Sequence, residues 1–112
     1  MKTINWNDFE NVDLRTGTII EVNDFPEARK LAFRLLIDFG DQIGLKNSSA
    51  QITHLYSKEE LLGKQIIAVV NFPPKQIGPF VSECLVTGFV QKDDSVVLAV
   101  PDRKVENGIR LA

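Results

Sequence analysis

Residues 57–63, SKEELLG, carry a helix-start signal at one end and a helix-stop signal at the other. Ser57 and Glu60 have the spacing of a capping box, in which each side chain accepts a backbone N–H of the other residue. Gly63 stands where a glycine commonly ends a helix. The sequence therefore predicts one short helix here, and the segments on both sides have the two-residue period of strands.

Three strands are predicted before this helix. Residues 16–22 are rich in β-branched residues and alternate in character. A turn at Gly40-Asp41 then separates LAFRLLIDFG (31–40) from QIGLK (42–46), the predicted third strand. The apolar face of the second strand would contain Leu31, Phe33, Leu35, Ile37 and Phe39.

After the helix, QIIAVV (65–70), SECLVTGFV (82–90) and SVVLAV (95–100) are predicted as strands. A short helix between the third and fourth strands, in a chain with no long helix, indicates an all-β, five-stranded OB-fold barrel. Closure into a barrel also removes exposed strand edges. An N-terminal helical turn, with a capping-box spacing at Asn7 and Glu10, and the C-terminal VENGIRLA (105–112) lie outside these strands. Their apolar residues need a partner, either the side of the barrel or a second subunit.

The composition is that of a globular protein. The 112 residues are 44% hydrophobic and 25% charged, and they are long enough for one domain, residues 1–112. The N-terminus has no apolar core of a signal peptide, and the longest apolar stretches are too short for membrane insertion. A single cysteine excludes an intrachain disulfide and agrees with a cytoplasmic location. The net charge of −2 argues mildly against nucleic acid, although the residues between Asp41 and Glu83 carry four lysines and two acids.

No pattern in the sequence indicates catalysis. His54 is the only histidine and is expected at the surface, whereas Cys84 alternates with Val86 and is expected to be buried and inert. No Cys or His spacing fits a zinc site, and glycine-rich phosphate motifs are lacking. The prediction is a protein that is not an enzyme, with no metal and no cofactor.

Two stretches remain unusual. KNSSAQI (46–52) is a dense run of hydrogen-bonding side chains that suits phosphate, sugar or base contacts, or is only a polar loop entering the helix. VVNFPPKQIGPFVSECLV (69–86) places three prolines between two apolar runs, and the loop that joins these runs is predicted to be too stiff and too long for a tight hairpin. Its aromatic residues can stack a base, line a groove for an extended peptide, or plug the end of the barrel.

These stretches carry a resemblance. Together with DLRTGTI (13–19), FPEAR (25–29) and VPDRKVENG (100–108), they resemble in order and spacing the tRNA-binding domain family, and within it the CsaA group of export-associated chaperones. The resemblance covers residues 9–108. It implies an OB-fold whose terminal extensions build a two-fold homodimer, with Trp6, Phe9 and Val12 as interface residues. It also implies binding of tRNA by shape, or binding of unfolded preproteins and the translocation ATPase SecA.

The resemblance also implies site residues. The implied RNA-binding set comprises Lys46, Ser48, Ser49, Gln51, Asn71, Lys75, Ser82 and Glu83. Its two lysines would contact phosphate, and its other side chains would form hydrogen bonds with the RNA. An apolar wall for a peptide would comprise Phe72, Pro73, Pro74 and Phe80.

Three positions depart from the family pattern. Gln76 and Val81 stand where relatives often carry basic residues, and Pro79 stands where the loop is usually freer. Each missing charge removes a phosphate contact that releases counterions, so weaker tRNA binding is expected.

Three functions remain open at this point. A chaperone that binds peptides would depend on Phe72 and Phe80, and the net charge favours it slightly. A structure-specific tRNA-binding protein would depend on Lys46 and Lys75 and would lose affinity with salt. The third is a scaffold for another protein of the translation or export machinery.

Overall fold

The computed structural model describes residues 1–112 and contains two short helices and nine strands. No helix in the chain has the length and apolar character needed to cross a membrane. In chain order the elements are α1 Trp6–Glu10, β1 Leu14–Asp24, β2 Phe33–Asp38, β3 Leu45–Ala50, α2 Lys58–Leu61, β4 Gln65–Val69, β5 Lys75–Ile77, β6 Phe80–Ser82, β7 Leu85–Val86, β8 Gly88–Val90 and β9 Val96–Leu98.

The main sheet has five antiparallel strands in the order β3-β2-β1-β4-β7. Its long central strand, β1, pairs with β4 through its first half and with β2 through most of its length. A bulge leaves Ile20 without a partner between the paired residues Ile19 and Glu21. Because bulges bend a strand and increase its twist, this one helps to curl the sheet into a nearly closed barrel. The predicted five-stranded OB-fold is confirmed.

The barrel interior is one apolar cluster. In β2 every second residue is buried, and Leu35, Ile37 and the following Phe39 are almost inaccessible to solvent. Leu61 is the one buried residue of α2 and belongs to the same cluster, so the helix packs on the barrel through it. Leu31 was predicted on this face but is 83% exposed, because β2 begins only at Phe33.

The start of α2 was predicted correctly, but the start of α1 was not. Ser57 caps α2 in a capping box with Glu60, and Gly63 has a φ of 85°, as expected. The predicted capping box of Asn7 and Glu10 in α1 is wrong. Asn5 caps that helix, with Asp8 as its reciprocal partner, and Asn7 already lies in the first turn.

The third strand starts later than predicted. Gly40 and Gly44 both have positive φ, and the N–H of Gly44 donates to the carbonyl of Gly40 at 2.7 Å. This turn occupies residues predicted as strand, so β3 begins at Leu45. The polar run therefore lies largely on a strand, and it is not the loop that one interpretation expected.

The proline-rich stretch contains a tight hairpin, contrary to the prediction. β5 pairs with β6, and Gly78-Pro79 form the two-residue connection. Gly78 has a φ of 55°, which such a connection needs at its first position, and the fixed negative φ of Pro79 suits the second. Pro73 and Pro74 precede β5, so no proline interrupts the pairing. The strand predicted over residues 82–90 is likewise divided among β6, β7 and β8.

Candidate ligand-binding face

The barrel closes along a seam where β3 meets residues 82–84. The N–H of Glu83 donates to the carbonyl of Asn47 at 2.8 Å, and the N–H of Asn47 donates to the carboxylate of Glu83 at 2.9 Å. Inside the barrel, the hydroxyl of Ser48 donates to the carbonyl of Cys84 at 3.0 Å. At this seam the side chains of Glu83 and Ser48 thus form hydrogen bonds of a kind that paired backbone groups form between the other strands.

This seam changes the interpretation of two predicted RNA-binding residues. Ser48 lies opposite Leu35 in the sheet, faces the core and is fully buried, so it has no surface to offer to RNA. The Glu83 carboxylate is occupied by the Asn47 N–H, and its negative charge would repel phosphate. Both residues are placed to close the barrel.

Beside the seam is a groove of about 400 Å³, here called the Phe72 groove. Phe72 and Leu85 are about half exposed and form part of its apolar wall. The hydroxyl of Ser82 accepts the N–H of Ser49 at 3.1 Å, which holds the polar side in place. The groove brings together six of the predicted site residues. Its lining consists of Ser49, Gln51, Phe72, Pro73, Lys75, Ile77, Ser82, Cys84 and Leu85.

A second groove, the Arg29 groove, has a volume of about 520 Å³ and shares part of this lining. The lining of this groove contains three cations, Arg29, Lys30 and Lys75, and one acid, Glu27. The groove therefore has a net positive charge. The shared residues form a ridge between the two grooves and comprise Ser49, Gln51, Lys75 and Ile77. The remaining lining residues are Ala28, Ala32, Gln76 and Gly78.

Arg29 and Lys30 were not predicted as site residues. Their position between β1 and β2 could have indicated them, because the loops of an OB-fold border its binding face.

Other predicted residues lie outside both grooves. Asn71 accepts the N–H of Asp13 at 3.0 Å and donates to the carbonyl of Asn11 at 2.7 Å, so its amide is used to fix the N-terminal segment. Lys46 pairs with Ile37 at the start of β3, and Pro74 is exposed before β5. None of these three lines a groove.

Phe80 is held in an aromatic contact instead of lining the Phe72 groove. Its ring lies edge-on to Phe25, with centroids 5.3 Å apart. The guanidinium carbon of Arg34 lies 5.8 Å from the Phe25 centroid and 5.9 Å from that of Phe80. Phe80 thus joins the β5–β6 hairpin to the loop between β1 and β2.

Cys84 is buried, as predicted, and lines the inner side of the Phe72 groove. Burial raises the pKa of its thiol to about 11, because the thiolate would lose its hydration there. The group is neutral at physiological pH and adds apolar surface to the groove. His54 is exposed, as expected, and no three side chains form a metal-binding cluster.

The residues predicted for a dimer interface lie on or beside α1, which buries none of its residues. Trp6 is 83% exposed, and Phe9 and Val12 are also open to solvent. The guanidinium of Arg110 donates to the carbonyl of Glu10 and ties the end of this helix to the C-terminal segment. The apolar stripe is therefore held on the surface, with Trp6 largely uncovered and Phe9 and Val12 each still more than one-third exposed.

An ion cluster stabilises the link from α1 to the barrel. The guanidinium of Arg15 donates to the carboxylate of Asp13 at 2.6 Å, and Arg110 lies nearby at 3.9 Å. The hydrogen bond from Arg15 lowers the pKa of Asp13, and the charges of both arginines act in the same direction. The carboxylate thus remains ionised at neutral pH.

Comparison with known proteins gives a consistent result. The sequence profile of the putative tRNA-binding domain matches residues 14–110. The crystal structure of the CsaA chaperone protein from Picrophilus torridus is 56% identical, covers 98% of this chain and 100% of its own, and superposes with a TM-score of 0.92. The chaperone CsaA from Bacillus anthracis is 49% identical, covers 99% of this chain and 100% of its own, and has a TM-score of 0.93.

Longer proteins contain a similar segment. The methionine–tRNA ligase of Thermococcus kodakarensis is 32% identical over 99% of this chain, which spans only 14% of that protein. The methionine–tRNA ligase of Pyrococcus horikoshii is 33% identical over 99% of this chain, which spans 15% of that protein. The profile match covers most of the chain, and the likeness to CsaA extends over the full length of both chains. The chain therefore belongs to the putative tRNA-binding domain family, and within that family it is similar to the CsaA chaperones.

Proposed function

We propose that this protein is a CsaA-type chaperone that binds extended apolar segments of unfolded preproteins in the Phe72 groove. One observation carries the proposal: Phe72 and Leu85 are about half exposed in one groove, beside Pro73 and Ile77. Concave apolar surface of this kind gains free energy when a ligand removes it from water. The similarity to the CsaA chaperones supports the same conclusion.

The groove suits an extended peptide for a second reason. β5 has only one ladder partner, β6, so its other edge has free backbone groups beside the groove. A peptide strand added at this edge would gain backbone hydrogen bonds, and its alternate side chains would enter the apolar wall. The prolines before β5 limit the freedom of Phe72, which reduces the entropy lost on binding.

The second candidate function is binding of tRNA through the Arg29 groove. The concentration of Arg29, Lys30 and Lys75 against a single acid favours a polyanionic ligand, despite the net charge of −2 for the whole chain. Membership of the tRNA-binding domain family also supports it. In this function, Ser49 and Gln51 on the ridge would donate hydrogen bonds to sugar or phosphate oxygens.

One titration separates the two functions. Labelled tRNA and a labelled uncharged apolar peptide are each titrated with the protein at low and near-physiological salt, and each serves as competitor for the other. Replacing Phe72 by alanine is expected to weaken peptide binding about tenfold, since burial of a phenylalanine side chain contributes about 1.5–3 kcal/mol. Phe89→Ala is the matched control, because Phe89 is 67% exposed and lines neither groove.

The outcomes are distinct. Peptide affinity that changes little with salt and falls in Phe72→Ala, but not in Phe89→Ala, supports the chaperone function. Equal effects of the two substitutions would reject the Phe72 groove as the peptide site. Binding of tRNA that falls steeply with salt and is reduced by Lys30→Ala, with the exposed Lys92→Ala as control, supports the second candidate.

We further propose that Trp6, Phe9 and Val12 form a homodimer interface, because Trp6 is largely exposed and Phe9 and Val12 are partly exposed beside it in the protomer. Trp6 is the only tryptophan, so its emission should shift to shorter wavelength as protein concentration rises. Trp6→Ser should lower the mass found by light scattering, whereas Leu31→Ser, at the same 83% exposure, should not. The mass of a single chain at every concentration would contradict the proposal.

The remaining parts of the proposed function concern its setting. Residues 1–112 act as a single binding domain in the cytoplasm, without a catalytic step, and deliver preproteins to the export machinery through SecA. Direct binding of purified SecA, measured with and without preprotein, tests this partner. Failure to bind in both conditions would remove SecA from the proposal.

A further inference from the structure

Arg34, on β2, carries a guanidinium group without a polar partner. No acid lies within ion-pair distance of it, and none of its nitrogens makes a hydrogen bond within the chain. Its Nε is fully buried and is the only buried side-chain nitrogen or oxygen in the protein without a partner. An unpartnered buried donor costs about 1–3 kcal/mol, so it requires an explanation.

Two phenylalanines hold this group. The guanidinium carbon is nearly equidistant from the ring centroids of Phe25 and Phe80, at 5.8 and 5.9 Å. Contacts of this kind attract a cation to the ring electrons and restrict a side chain that is otherwise flexible. They do not satisfy the N–H donors in the plane of the guanidinium. The cation is therefore held in position while its hydrogen-bonding capacity is unused.

The position of Arg34 connects it to the ligand-binding face. Arg34 lies opposite Ser49 in the pairing of β2 with β3, and Phe80 lies opposite Ile77 in the hairpin. Ser49 and Ile77 both belong to the ridge between the two grooves. Residues directly opposite across an antiparallel pair have Cβ atoms about 4.5–5.5 Å apart. Arg34 is thus a direct neighbour of the ridge.

We propose that Arg34 is a phosphate-binding residue of this face and takes a phosphodiester group of bound RNA. The proposal rests on the tRNA-binding candidate above and identifies a contact within it. The two Nη groups of Arg34 are not buried and have no partner, so they can donate two parallel hydrogen bonds to phosphate oxygens. RNA is favoured over an acidic peptide because the adjoining groove supplies Arg29, Lys30 and Lys75, and an RNA backbone presents phosphates at regular spacing to such a set.

The test uses the full chain and a labelled tRNA transcript, titrated over a range of salt concentrations. Arg34→Met retains a long apolar stem against the two rings and removes both the charge and the donors. Its affinity for tRNA should fall about tenfold at low salt, and the slope of log affinity against log salt should decrease by about 0.7–0.9, the value for one lost phosphate contact. Arg103→Met is the control, because Arg103 is 92% exposed and lies in a different part of the surface, in a pocket with Gly63 and Pro101.

Each outcome decides the proposal. Loss of affinity and slope in Arg34→Met, with wild-type affinity for the apolar peptide, supports it. Equal losses for tRNA and peptide would show that Arg34 only holds the hairpin, and would overturn it. Wild-type tRNA affinity in Arg34→Met overturns the Arg34 contact alone if Lys30→Ala still weakens binding. Absence of tRNA binding by the wild-type protein at low salt overturns both proposals.

A second variant covers the case in which Arg34→Met does not fold. Arg34→Lys retains the charge but lacks the planar fork. A retained salt slope with affinity several-fold weaker supports the forked contact. Unchanged affinity in a folded Arg34→Lys protein would overturn that contact.

Discussion

Replacing Phe39 by alanine is expected to lower the free energy of unfolding by about 3–5 kcal/mol, the range found for buried phenylalanines. Phe39 follows β2, is completely buried and is the largest of the fully buried side chains. Its ring fills space directly opposite Gly17, where a built Cβ would lie 2.8 Å from it. Alanine would leave a cavity that the surrounding barrel can close only in part.

Urea denaturation followed by circular dichroism measures this loss. Phe89→Ala removes the same atoms from a side chain that is 67% exposed, so its free energy of unfolding should change by less than about 0.5–1 kcal/mol. Because both variants lose the same atoms, the difference between their free energies of unfolding measures the effect of burial. Similar losses in both would contradict the position of Phe39 in the core.

Replacing Gly108 by alanine is expected to lower the free energy of unfolding by about 2–5 kcal/mol, the sum of a conformational and a steric effect. Gly108 has a φ of 90°, a conformation that disfavours any side chain. A Cβ built there lies 2.5 Å from the carbonyl oxygen of Phe39, so backbone atoms must move apart. The movement would also strain the hydrogen bond from the N–H of Gly108 to the carbonyl of Thr16, now 2.8 Å.

Gly44→Ala separates these two effects. Gly44 has a φ of 80°, but a Cβ built there meets no atom within 4 Å. Its replacement should therefore cost only the conformational part, about 1–2 kcal/mol. Thermal or urea denaturation of both variants gives the comparison. Equal losses would show that the contact with Phe39 contributes nothing and that backbone conformation alone decides the cost.

Local signals in the sequence predicted the fold well. The capping box at Ser57 and the glycine at 63 fixed α2, and the alternation in β2 identified most of its buried face. These features involve neighbours along the chain, so propensity and periodicity detect them. The start of β3 was misplaced because the turn between Gly40 and Gly44 uses two positive φ angles, which alternation does not reveal.

The ligand-binding face was predicted less completely, since it depends on contacts between distant residues. The resemblance selected six residues that the Phe72 groove brings together. It could not separate Ser48, which faces the core, from Ser49, which lines the groove, because a shift of one residue in the strand exchanges the two faces. Arg34 was missed because its significance lies in the rings beside it, and these come from two other parts of the chain.

The seam between β3 and residues 82–84 has a consequence for the order of folding. Its bonds join residues 33 to 36 positions apart, such as Ser49 with Ser82 and Ser48 with Cys84. Bringing together residues so far apart in the chain costs conformational entropy before the new hydrogen bonds can offset that cost. The β1–β2 and β2–β3 pairs join segments that are closer in sequence, so their closure costs less. The meander of β1, β2 and β3 should therefore form early and the seam late. A nascent chain would complete the Phe72 groove only after Leu85 has joined the sheet, so peptide binding reports on a late stage of its folding.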